Sequence, residues 1–144
     1  MTSTSDNRPT VIERALLDAL LTGDHPVLSQ LRDQEKVVTV EERHWSLSGC
    51  TAELHVPRTS VPVRPASINL ADVGFRLRGA ENPGHAILFV KDGFLAAIEY
   101  YNWTDDWPQT PQLENVHFYI PYDAKEPLES AERDHKGVAN ELAA

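Results

Sequence analysis

The sequence predicts an α+β fold: an N-terminal helical pair packed on an antiparallel β-sheet of about five or six strands. Three observations predict it. A helical stripe of apolar residues follows a capping-box pair, Thr10 and Glu13, near the start of the chain. Later segments alternate apolar and polar with period two, as in Val73, Phe75 and Leu77. Two apolar runs flank Asp92-Gly93, a dipeptide suited to a tight hairpin turn.

The first helix is expected in "TVIERALLDALLTG", with Val11, Ala15, Leu16, Ala19 and Leu20 on its apolar side and Gly23 past its end. The second starts at "DHPVLSQLRDQE", capped by Asp24, with Pro26 in the first turn and Val27, Leu28 and Leu31 inward. The short link makes the two an antiparallel pair. "KVVTVEERHWSLSG" and "CTAELHVP" read as two strands meeting near Gly49. "PRTSVPVRPAS" holds three prolines and is a loop or an edge. "ADVGFRLRG" is a half-buried strand with Arg76 and Arg78 on its solvated side.

In "GHAILFVKDGFLAAIEYY" a two-residue loop sets Lys91 opposite Phe94, Ile87 opposite Ile98, Ala86 opposite Glu99 and His85 opposite Tyr100. Both faces of this hairpin are apolar, which predicts a central position covered on both sides. "NVHFYIPY" is a last strand with Val116, Phe118 and Ile120 inward. The expected organisation is a disordered terminus over 1–9, one domain over 10–122, and a charged tail over 123–144 that is a short surface helix or disordered.

Composition narrows the function. Net charge is -9, and nucleic acids and anionic membranes need clustered cations, so neither is an expected partner. A basic protein suits the charge better. The N-terminal segment lacks the apolar core of a secretory signal, and no apolar run spans a membrane, so a cytoplasmic location is expected. The one cysteine, Cys50, sits in an expected strand and reads as a buried, inert thiol.

Several landmarks occur in order: "R-x-W-S-x-x-G" from Arg43 to Gly49, Val56-Pro57, "L-x-D-V-x-x-x-L-x-G" from Leu70 to Gly79, "LFVKDGFL" from Leu88 to Leu95, Glu99, and Trp107-Pro108. Together they resemble a family of small uncharacterised bacterial proteins in which an Asp-Gly hairpin precedes an acidic-aromatic "WP" ending. Leu47 stands where that family has glycine. The resemblance implies a shared fold and no particular activity.

No nucleophile elbow, phosphate loop, dinucleotide turn or paired-cysteine zinc spacing is present, and no cofactor or metal is expected. Glu99, His85 and His117 are the acid-base candidates, with Glu99 expected on the face of Leu88, Val90, Leu95 and Ala97. Asp105 and Asp106 with Glu99 offer oxygen ligands, but their spacing matches no cation loop. The chemistry is densest from Asp92 to Ala124. These 33 residues hold six carboxylates, eight of the chain's eleven aromatics, and no Lys or Arg. Trp103 and Trp107 lie in a polar loop, where they either lid the sheet or anchor a partner.

The primary expectation is a non-enzymatic binding protein, an immunity-type inhibitor of a basic partner. Its surface is Tyr100, Tyr101, Trp103, Asp105, Asp106 and Trp107. The alternative is a small enzyme or ligand-binding domain with Glu99 and a histidine in a pocket over the sheet.

Overall fold

The computed structural model describes residues 7–143, so the N-terminal expectation for residues 1–6 lies outside the described residues. Within them, the fold is α+β. Helices α1 (Val11–Leu20) and α2 (Pro26–Glu35) precede strands β1 (Thr39–Trp45), β2 (Gly49–His55), β3 (Ile68–Leu77), β4 (Gly84–Lys91), β5 (Phe94–Asn102), β6 (Leu113–Ile120) and β7 (Leu128–Ser130). A third helix, α3 (His135–Leu142), follows them. The strands form one antiparallel sheet of order β1-β2-β5-β4-β3-β6-β7. No helix among the described residues is long and apolar enough to cross a membrane.

Seven strands and a C-terminal helix exceed the expected five or six strands and N-terminal pair. The difference lies in the tail. Leu128–Ser130 pairs with β6, and Val138 and Leu142 of α3 are buried in the core. Arg133 holds this segment in place. It pairs through two nitrogens with Asp72 of β3, at 2.9 and 2.7 Å, and donates to the carbonyls of Leu20 and Thr22 at the end of α1. Those carbonyls have no partner inside the helix, so a cation there satisfies them.

Asn7 and Arg8, the first described residues, bond to β1. Asn7 accepts from the Val40 amide at 2.6 Å, and the Arg8 carbonyl accepts from Arg43.

The Thr10–Glu13 capping box forms. Leu16 and Leu20 are buried as expected, but Ile12 and Leu17 join them where Val11, 87% exposed, was expected. Leu28 and Leu31 of α2 are buried as expected, but its cap is His25, whose Nδ1 accepts from the Val27 amide, rather than Asp24. Gln34 ties α2 to the sheet. Its amide group donates to the carbonyls of Val61 and Gly93 and accepts from the Leu95 amide.

The Asp92-Gly93 turn is as expected, with φ of 55° and 84° and Lys91 opposite Phe94. The expected register beyond it is wrong by one residue. Val90 faces Leu95 and Phe89 faces Ala97, so Ala96 is an extra residue in a β-bulge. Leu88 therefore faces Ile98, Ile87 faces Glu99, Ala86 faces Tyr100 and His85 faces Tyr101. Ile87 and Ile98 lie on opposite faces. The hairpin is central, but cover is one-sided. Leu88, Val90 and Ile98 are buried under the helices, whereas Ile87, Phe89 and Ala97 are half-exposed on the other face.

Gly93 also fits tightly. A Cβ there would lie 2.6 Å from Pro62 Cβ and 2.8 Å from the Val63 carbonyl. Gly93→Val should lower stability by about 1–3 kcal/mol through positive φ alone, and further through the contact with Pro62. Urea denaturation measures this, and a variant as stable as wild type would contradict the turn geometry.

Candidate functional site

The bulge decides which side chains meet on the helix-free face. By alternation, Tyr101 and Glu99 of β5, His85 of β4, Gly74 of β3 and His117 and Tyr119 of β6 share it. Gly74 faces His85 on one side and His117 on the other. A Cβ at Gly74 would meet His117 Nε2 at 2.4 Å and the Tyr119 hydroxyl at 2.6 Å, so the glycine lets two rings lean across β3.

The two candidate histidines are thus brought together, and both belong to an aromatic assembly. His85 Nε2 donates to the Ala71 carbonyl, which makes its Nδ1 the acceptor for the Tyr101 hydroxyl at 3.2 Å in the neutral ring. His117 Nε2 lies 3.2 Å from the Tyr119 hydroxyl. Burial lowers the His117 pKa, which keeps the ring neutral near pH 7. His85 stands edge-on to Tyr101, Tyr119 and Trp103. Trp103 lies nearly parallel to Tyr119, at 15° and 6.5 Å between centroids. His85, Trp103, Tyr119 and Tyr122 line a cleft of about 310 Å³ with Asp123 and Lys125 at its rim.

Glu99 is not part of that cleft. It faces Ile87 and accepts from the Thr51 hydroxyl at 3.2 Å, in an open recess with His44, Ser46, Ser48 and Tyr101. Its expected apolar neighbours Leu88, Val90 and Leu95 are on the buried face instead, because the bulge reverses the alternation. Neither His85 nor His117 bonds to it among the described residues.

The expected binding surface divides. Tyr100 is buried, its hydroxyl donating to Glu13 Oε2 at 2.7 Å beneath α1. It is therefore a core residue and not a surface contact. Burial, reinforced by the Glu13 charge, raises its pKa far above the usual range. Trp107 packs against Tyr100, Trp45 and Phe75, and its amide donates to Leu47, so this tryptophan is a lid. Trp103 is 56% exposed. Asp105 accepts from the Asn82 amide and holds the loop, while Asp106 is exposed.

Two features escaped the sequence reading. Trp45 and Leu47, 58% and 79% exposed, form an apolar tip beside Trp107. The period-two pattern marks Trp45 as one face of a strand without saying that the strand ends in solvent. Glu42, His44 and Glu53 place ligand atoms within 4.8 Å of one another on the exposed sheet edge, a donor set that suits a divalent cation. Glu42 and His44 are two residues apart on β1, and only strand pairing brings Glu53, which faces Glu42 from β2, to them. His44 bonds to Glu53, which raises its pKa. Cys50 is buried, and burial raises its thiol pKa, as expected of an inert thiol.

No family model matches the chain, and comparison with curated proteins and with solved structures finds no match.

Proposed function

We propose that this chain is a non-enzymatic binding protein, an immunity-type inhibitor that covers a basic protein through the acidic-aromatic surface around Trp103. The observation carrying this reading is Trp103 itself. It is a large ring, 56% exposed, at the mouth of a cleft, in a stretch of 33 residues without a cation. Exposed tryptophans supply much of the contact energy at interfaces. The acidic surround steers a basic partner and speeds encounter. The inhibitor role is an analogy from this combination, and the resemblance described above suggests a bacterial setting. Among the described residues, Glu99 makes no bond to His85 or His117, the His44 that shares its open recess is bonded to Glu53, and His85 is engaged by Ala71 and Tyr101; these favour this over the enzyme reading.

The test is titration of purified basic proteins encoded beside the gene. One should bind, and Trp103→Ala should weaken it by about 2 kcal/mol or more, roughly 30-fold, mainly through faster dissociation. Asp106→Asn should mainly slow association, with a loss that shrinks as salt rises. Binding of none of them, or equal binding by Trp103→Ala, would contradict the reading.

A further inference from the structure

We propose that the cleft between Trp103, Tyr119 and Tyr122 is an anchor pocket for a guanidinium side chain, an inference that rests on the basic-partner reading and names the group the partner inserts. At about 310 Å³ the cleft lies at the small end of ligand sites, roughly 300–1,000 Å³, which suits one side chain rather than a large cofactor.

The rings arrive with their polar atoms already engaged. His85 uses Nε2 on the Ala71 carbonyl and Nδ1 on the Tyr101 hydroxyl. The Tyr119 hydroxyl meets His117, and the Tyr122 hydroxyl donates to the Asn69 carbonyl at 3.3 Å. Apart from the Asp72 carboxylate, which Arg133 engages, the four rings are held in place before a ligand arrives. That arrangement lowers the ordering cost of binding.

Charge then selects the occupant. A π face attracts a cation, and a guanidinium stacks on aromatic faces as an ammonium does not. Asp123 on the lining favours a positive group, while Asp72, also on the lining, is held by Arg133 and Arg76 acts on Tyr119 from β3. Lys125 is the one cation on the lining. It opposes such an occupant and would favour an anionic one, so it gives the test its direction.

The experiment titrates nona-arginine, nona-lysine and nona-glutamate peptides against the whole chain at 150 mM salt, followed by calorimetry. Nona-arginine should bind more tightly than nona-lysine. Trp103→Ala should weaken it roughly tenfold or more with an unchanged melt, and Lys125→Glu should strengthen it several-fold. The inference is overturned if nona-arginine binds wild type and Trp103→Ala equally, since that is attraction to net charge alone. Tighter binding of nona-glutamate, lost in Lys125→Glu, overturns it as well. If the cleft fails this test while a basic protein still depends on Trp103, the guanidinium pocket falls and the protein-binding reading stands. If the cleft passes and no basic protein binds, the reverse holds.

Discussion

Arg133→Ala should destabilise the fold by about 3–5 kcal/mol, because it strands a buried carboxylate and several helix-end carbonyls at once. The Arg133 side chain is fully buried and Asp72 nearly so. Their two parallel bonds join the segment before α3 to β3, and the bonds to Leu20 and Thr22 join it to α1. Removing the cation leaves the buried Asp72 carboxylate without its partner. An Arg133→Met, Asp72→Leu double variant should recover part of the loss, since it removes the stranded charge as well as its partner. Recovery will be incomplete, because the α1 carbonyls remain unpaired. Chemical denaturation of the three proteins measures this. A loss below about 1 kcal/mol for Arg133→Ala would mean that the tail is not integral to the fold.

Glu13→Gln should cost a similar amount at pH 7, about 3–5 kcal/mol, and the cost should depend on pH. The Glu13 carboxylate is buried and fully bonded. It accepts from Arg43 at 2.8 and 2.7 Å, from the Tyr100 hydroxyl at 2.7 Å and from the Thr10 amide at 2.9 Å. Burial alone would raise its pKa, but the bonds from Arg43, Tyr100 and Thr10 outweigh burial and hold it below the ordinary 4.5. A lowered pKa stabilises the fold fully above the unfolded value, and that contribution is lost as pH falls through the folded value. The difference between wild type and Glu13→Gln should therefore be constant from pH 8 to about 5 and shrink below that. Glu35 acts in the opposite direction. Burial and the neighbouring Asp18 push its pKa up to about 7, so its contribution fades as pH rises through that value. Comparing the two proteins at each pH cancels Glu35. A difference that grows toward pH 3 would contradict the role given to Glu13.

These two clusters show how far the sequence could be read. Thr10 and Glu13 announce a cap, because capping is local and needs only a spacing of three. Nothing local announces that the same carboxylate receives Arg43 and Tyr100, 30 and 87 residues away. Arg133 sits in a charged, polar stretch whose composition points to solvent, and only the fold supplies Asp72. The hairpin turn was legible because Asp-Gly requires positive φ. The bulge at Ala96 was not, since "FLAAIE" carries no turn residue, and one uncounted residue reversed the faces of Ile87 and Glu99. The two loop tryptophans have similar neighbours in sequence. Trp107 finds Trp45 and Tyr100, whereas Trp103 lies across Tyr119 and His85 in solvent. His85 and His117 were legible as candidates, but their meeting across Gly74 depends on strand order.

The division of the two tryptophans is the central claim, and paired thermal melts of the free protein test it most directly. Trp107→Ala should lose about 2 kcal/mol or more, because its half-buried ring packs on Trp45, Phe75 and Tyr100, while Trp103→Ala should stay within about 1 kcal/mol of wild type, as surface substitutions do. Equal and large losses for both would make Trp103 a second lid and contradict the binding surface.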